Sequence, residues 1–143
     1  MSVPGRLLGV DHGKVRVGLA VSDPERRLAS PLETYRRQGK ELDTGFFRAL
    51  VKKEEIVQVV VGLPAHLDGR EGEQARLARA FGKWLAEVTG LPIVFFDESF
   101  TTHDAEQHLL AAGLTNKKRK ARRDRVAAQI MLEAFLEAGC PGG

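Results

Sequence analysis

Cysteine is nearly absent: Cys140 stands alone in 143 residues, so no internal disulfide can form and the fold must rest on its own core. No apolar run approaches the roughly 20 residues that cross a bilayer, and the N-terminal MSVPGRLLGV lacks the long apolar segment of a secretory signal. A soluble, cytoplasmic protein is the expectation. There is no repeat, no low-complexity segment and no linker, which argues against a second domain; residues 1–143 are read as one. Aromatic residues are only 6% of the chain, while 43% apolar and 29% charged residues are ordinary for a globular domain with a sizeable core. Cys140, near the end beside Pro141 and two glycines, reads as a tail residue rather than a nucleophile.

A net excess of basic charge is also missing, except in one place. The net charge is +3, yet Lys117 to Arg125, KKRKARRDR, holds seven basic residues and one acidic one, and the rest of the chain nets −3. Cations this dense repel one another and call for a polyanionic partner, with nucleic acid the first candidate. Lys117, Lys118, Arg119, Lys120, Arg122 and Arg123 are the expected backbone contacts.

The stretch Leu7 to Asp23, LLGVDHGKVRVGLAVSD, reads as two strands joined by a glycine-bracketed turn, with Asp11 where the first strand ends. Such a carboxylate is presented rather than buried, although Asp-His-Gly is also an ordinary turn sequence. Residues 26–37 suggest a third strand, at a sheet edge where Pro31 is tolerated. Asp43 or Thr44 can cap a helix through Glu54. Ile56 to Val61, IVQVVV, has the β-branched continuity of a strand covered on both faces and is expected in the middle of the sheet, ending at Gly62-Leu63-Pro64. A helix is predicted over 71–88 on the stripe Ala78, Phe81, Leu85 and Val88, stopped by Gly90 and Pro92; Trp84 beside it reads as packing rather than a base-stacking platform. Pro92 to Asp97 is a further strand ending in acid, Asp97 and Glu98. A helix over 102–112 and a last one over 124–138, with Ala127, Ile130, Met131, Ala134 and Phe135 buried, complete the chain. This order implies an α/β fold: a mixed five-stranded sheet with helices on both faces.

In such a sheet Asp11 and Glu98 can meet at one edge, and Asp124, placed at the opening of the last helix, can join them. Three converging carboxylates repel unless they share a cation, and a hard divalent ion, Mg²⁺ or Mn²⁺, is the economical resolution. The chemistry that follows is hydrolysis of a phosphodiester by an activated water. His12 could assist a proton transfer, though a lone turn histidine is more often solvated or bonded to backbone. Asp97 stays open as a substitute for Glu98, because neighbouring strand residues face opposite sides.

VDHGKVRVGLAVSD, VVVGLPAHLDGREGEQARLARAF, VFFDESFTT and KKRKARRDRVAAQIMLEAFL, in this order, resemble the YqgF/RuvX family of bacterial ribonuclease-H-like proteins over about Leu7 to Leu136. The resemblance implies a ribonuclease-H-like fold, a cytoplasmic location and a nuclease maturing the 5′ end of pre-16S rRNA, with RuvC-like resolution of branched DNA as the alternative. It places the family's acidic residues on Asp11, Glu98 and Asp124. The Asp68-Gly69 and Glu71-Gly72 pairs match a region that would shape a loop near the substrate. Two departures stand out: Ser99 occupies the position of a family arginine, and Lys14 comes one place early, with Val15 where the family's lysine usually stands. Arg16 still matches and is counted with the nucleic-acid contacts.

A D-x-G turn between strands also occurs in actin-like ATPases, but these need two such domains. A non-catalytic RNA-binding module is the remaining rival. Paired incision of a junction requires a symmetric dimer, and the sequence shows no surplus apolar stripe to make one, so RNA is the favoured partner.

Overall fold

The computed structural model describes residues 4–64, 72–97 and 116–141, and for 116–122 the backbone alone. Alternating apolar residues build the opening hairpin as expected: β1 (Arg6–His12) pairs antiparallel with β2 (Arg16–Ser22), Asp11 lying directly across from Gly18. The third strand, β3 (Ala29–Arg36), pairs with β2 and forms one edge of the sheet, where Pro31 costs no interior hydrogen bond. The turn into it is held by Asp23, whose carboxylate accepts from the backbone N–H of Arg27 and Leu28 at 2.7 and 2.9 Å.

Helix α1 (Lys40–Lys53) starts earlier than its sequence suggested, behind Gly39. Asp43 is therefore not its cap. It lies within the helix, 1% exposed, and its carboxylate accepts from the Tyr35 hydroxyl at 2.6 Å and from the Gln38 backbone N–H at 2.9 Å, with Arg37 Nε at 3.4 Å. Burial by itself would raise the pKa of Asp43, but these three donors together outweigh it and hold the carboxyl below its usual range. The same pairing, together with burial, pushes the Tyr35 phenol up to about 12, burial being the larger cause.

β4 (Ile56–Leu63) and β5 (Ile93–Asp97) run parallel to β1, joined through helix α2 (Glu73–Thr89), which ends at Gly90 in the left-handed conformation. The sheet order is β3-β2-β1-β4-β5. The central strand is thus β1, not β4, which lies one place from the edge. β4 also continues through Gly62 and Leu63. Its β-branched run signals two covered faces, and those occur beside the centre as well as in it.

The last helix, α3, runs without a break from Asn116 to Glu137. The basic stretch therefore forms its first turns instead of leading into it, and Asp124 sits on its third turn rather than its first. Val126, Ala127, Ala128, Met131, Leu132 and Phe135 are buried, so Ala127, Met131 and Phe135 take the places expected of them, whereas Ile130 and Ala134 are only half-buried. Completely burying Met131, Leu132 and Phe135 contributes about 1.5–3 kcal/mol each.

Three layers result. Leu8, Val10, Val17, Leu19, Val59 and Val61 meet α1 and α2 on one face, and Leu7, Ala20 and Val60 meet α3 on the other. Glycines set how closely the helices approach. A Cβ on Gly9 would come within 3.1 Å of Leu132 Cβ, and one on Gly82 within 2.6 Å of the Phe95 ring. The predicted helix over 102–112, the Asp68-Gly69 pair and Glu71 lie outside the described residues.

Candidate active site

The period-two alternation of β1 decides what each of its last residues can do. Gly9 and Asp11 share the α3 face, whereas Val10 and His12 point toward α2. Directly opposite Asp11, Gly18 has no side chain, and a Cβ there would collide with the backbone carbonyl of Asp124 and crowd the Arg125 nitrogen. The backbone of α3 thus rests on β2 at the residue paired with Asp11. Two acidic residues 113 positions apart in sequence are brought to one end and one face of the sheet.

Arg16, on the same face two residues before Gly18, donates from Nε to Asp124 Oδ2 at 2.7 Å. The pair is part-buried, the side chains 32% and 20% exposed, so the contact restrains Asp124 more than it stabilises the fold. Arg16, assigned from sequence to nucleic-acid contacts, is thus also a partner of the Asp124 carboxylate. Nothing in its sequence neighbourhood pointed to that.

Asp97 stands apart from this pair. Val94 and Phe96 pack with the α3 cluster, while Ile93 and Phe95 pack with the α1/α2 cluster, and Asp97 is in register with Leu63, which also belongs to the α1/α2 side. Asp97 therefore faces away from the side shared by Asp11 and Asp124. Glu98 and Ser99 lie outside the described residues, as do the side chains of Lys117, Lys118, Arg119, Lys120 and Arg122. Among the described residues no group of three potential metal ligands is assembled. Arg123 and Arg125, both half-buried, flank Asp124 in the described part of the basic run.

His12 is not beside the carboxylates. Its ring lies 4.8 Å from that of Phe81 on the opposite face, and its Nδ1 is buried with no hydrogen-bond partner among the described residues. Burial chiefly, and the nearby Arg37 charge secondarily, lower its pKa to about 4, so it is neutral at physiological pH. It lines a cavity of about 560 Å³ between the β1–β2 turn and α2.

The chain matches the family model described as RuvX, Holliday junction resolvase, over residues 5–138. A protein of Rhodopirellula baltica named as a candidate pre-16S rRNA nuclease is 49% identical over 134 residues, covering 94% of this chain and 78% of its own length. One of the same name from Anaeromyxobacter sp. is 40% identical over 132 residues, covering 92% and 96%. Among solved structures, RuvC of T. thermophilus in complex with a Holliday junction substrate superposes with a TM-score of 0.54 at 17% identity, covering 94% and 96% of the two chains. Fowlpox virus resolvase with Holliday junction DNA gives 0.56 at 10% identity, covering 93% and 97%. At such identities the structural likeness speaks for the fold, which is ribonuclease-H-like. Matched along nearly its whole length by the family model and by these relatives, the chain belongs to the RuvX family of nucleases and resolvases.

Proposed function

We propose that this protein is a metal-dependent nuclease that matures the 5′ end of pre-16S rRNA in the cytoplasm. The observation that carries the reading is the Gly18 cradle, which sets the Asp124 turn of α3 over the strand position paired with Asp11. Arg16 offsets one of the two charges, and the hard oxygen donors of carboxylates set on one end and face of the sheet suit Mg²⁺ or Mn²⁺. Asp11, Asp124 and Glu98 would hold it. Bound there, such an ion supplies an activated water and stabilises the leaving oxygen of the phosphodiester. The residues of the chain do the rest. Arg16 fixes the Asp124 carboxylate through its 2.7 Å contact. The basic turns of α3, Lys117 to Arg123, immediately precede Asp124 on the same helix and would track the polyanionic backbone. The names of the relatives favour ribosomal RNA as substrate.

Junction resolution is the second reading, favoured by the family description and by junction-bound neighbours of the same fold. One experiment separates the readings: a 5′-extended 16S precursor fragment and a synthetic four-way junction are incubated with wild type, Asp11→Asn, Asp124→Asn and Asp97→Asn in Mg²⁺, Mn²⁺ or EDTA. Metal-dependent RNA cleavage lost in the first two variants and kept in Asp97→Asn is the expected result. Paired incisions of the junction alone would favour the resolvase, and binding without cleavage would identify a non-catalytic module.

A further inference from the structure

The cavity between the β1–β2 turn and α2 plays no part in the carboxylate chemistry, yet its walls are chemically specific. Lys14 rises from the turn, Lys40 opens α1, and Arg37 precedes that helix. Neither lysine has an ion-pair partner among the described residues. Arg37 is held in place from two sides: its guanidinium lies 5.0 Å from the centre of the Phe81 ring, and its Nε is 3.4 Å from Asp43. Among the described residues Glu73 is the single acid against these three cations in the lining. The remaining wall is apolar, Leu77 and Ala80 beside the rings of Phe81 and Trp84. Trp84 packs edge-on to Phe47 and against Phe81, yet it is only half-buried and lines the same space. Cations beside a half-exposed indole match a nucleotide, whose base has a face to stack and whose phosphate is anionic.

The position of the cavity adds to this. His12 lines it, and His12 adjoins Asp11 on β1 with its side chain on the opposite face. A strand lying across the β1–β2 turn would therefore reach both.

We propose that this groove is a second binding site for substrate, taking one nucleotide of a single-stranded segment with its base on Trp84 and its phosphates on Lys14, Arg37 and Lys40. The site rests on the nuclease reading for its purpose but not for its binding chemistry. Its volume of about 560 Å³ has room for one nucleotide, and stacking on Trp84 needs a base face that a duplex does not offer, so the groove selects for single-stranded extensions beside the cleavage position. Trp84 was read from sequence as packing; it packs through one side and offers the other.

Trp84 is the only tryptophan, so its fluorescence reports on the groove directly. Full-length protein in EDTA is titrated with a ten-nucleotide oligouridylate, while anisotropy of a labelled copy follows total binding. Saturable quenching is expected, reversed by salt and absent with a blunt RNA duplex. The double variant Lys14→Ala/Lys40→Ala, both side chains exposed, should abolish the quenching with the thermal midpoint unchanged. Loss of one stacked base corresponds to roughly 5- to 150-fold weaker binding for Trp84→Ala. Trp84→Phe, which keeps a ring in the core, should retain most of the affinity. Anisotropy change without quenching, equal quenching by the duplex, or quenching unaffected by the double variant would each overturn the proposal. Cleavage assays on the same preparations keep the two readings apart: quenching in a wild type without metal-dependent cleavage would sink the nuclease reading and leave the groove standing, whereas cleavage lost in Asp11→Asn with no quenching in either protein would sink the groove alone.

Discussion

Gly18→Ala tests the geometry on which the candidate site depends. An added Cβ would fall far inside the 3.0 Å that real Cβ atoms keep from neighbouring atoms, and its neighbours are the Asp124 carbonyl and the Arg125 nitrogen, which are helix backbone and cannot rotate away. Relieving the clash requires α3 to lift by about 1 Å at Asp124. Overpacking of this kind costs about 1–3 kcal/mol, and a backbone partner puts the expected loss near the upper end, about 3 kcal/mol. A 1 Å displacement of a functional group also costs about 100-fold in rate, so cleavage should fall by about that factor even where the variant is fully folded. Two other glycines calibrate the result. Gly9→Ala meets Leu132 Cβ at 3.1 Å, an approach that needs a shift of only a few tenths of an ångström, and should cost less in stability and much less in rate. Gly45→Ala, in α1 with nothing within 4 Å, should stabilise by about 0.5–1 kcal/mol. The measurements are urea-unfolding midpoints in EDTA and single-turnover cleavage in Mg²⁺. If Gly18→Ala matches wild type within about 0.5 kcal/mol and about threefold in rate, α3 does not rest on β2 at Asp124 and the reasoning fails.

Tyr35→Phe removes the 2.6 Å donor from a carboxylate that is 1% exposed, and unfolding should become easier by about 1.5–3 kcal/mol, read from the urea midpoint. His12, held at a pKa of about 4 in the fold against an ordinary 6.5, binds a proton on unfolding between those values. Its contribution to stability is therefore complete above about pH 6.5 and is lost as pH falls toward 4; His12→Leu should flatten that part of the stability profile, and an unchanged slope would show that the ring is not buried as described. Binding of a single-stranded oligonucleotide should weaken with salt at a logarithmic slope of roughly −4 if the six basic residues of Lys117 to Arg123 each neutralise a phosphate. A slope near zero would remove the basic turns of α3 from the interface.

The hairpin, both crossover strands, α2 and its glycine stop were legible because each is written in local chemistry: alternation for strands, an i, i+3, i+4 stripe for the helix, and Gly90 at a left-handed residue. The start of α1 was misplaced because Asp43 resembles a cap, and only the fold shows its carboxylate turned back to Tyr35 and Gln38. The start of α3 was misplaced because a run of cations reads as a boundary. Lysine and arginine are good helix formers, and the helix simply continues through them.

For the site, the sequence by itself determined which residues are acidic, that Asp11 ends a strand, that Asp124 belongs to the last helix, and that the chain resembles a family in which these positions recur. It could not determine whether those residues meet. That depended on two things available only in three dimensions. One is the face of the sheet each residue takes, which divides Asp11 from His12 and sets Asp97 on the other side. The other is the resting point of α3, fixed by the absence of a side chain at Gly18 and by the Arg16 contact to Asp124. The physical reason is common to both: strand alternation and helix periodicity are local and can be read along the chain, whereas contact between residues 113 positions apart is settled by which surfaces fit when the layers close.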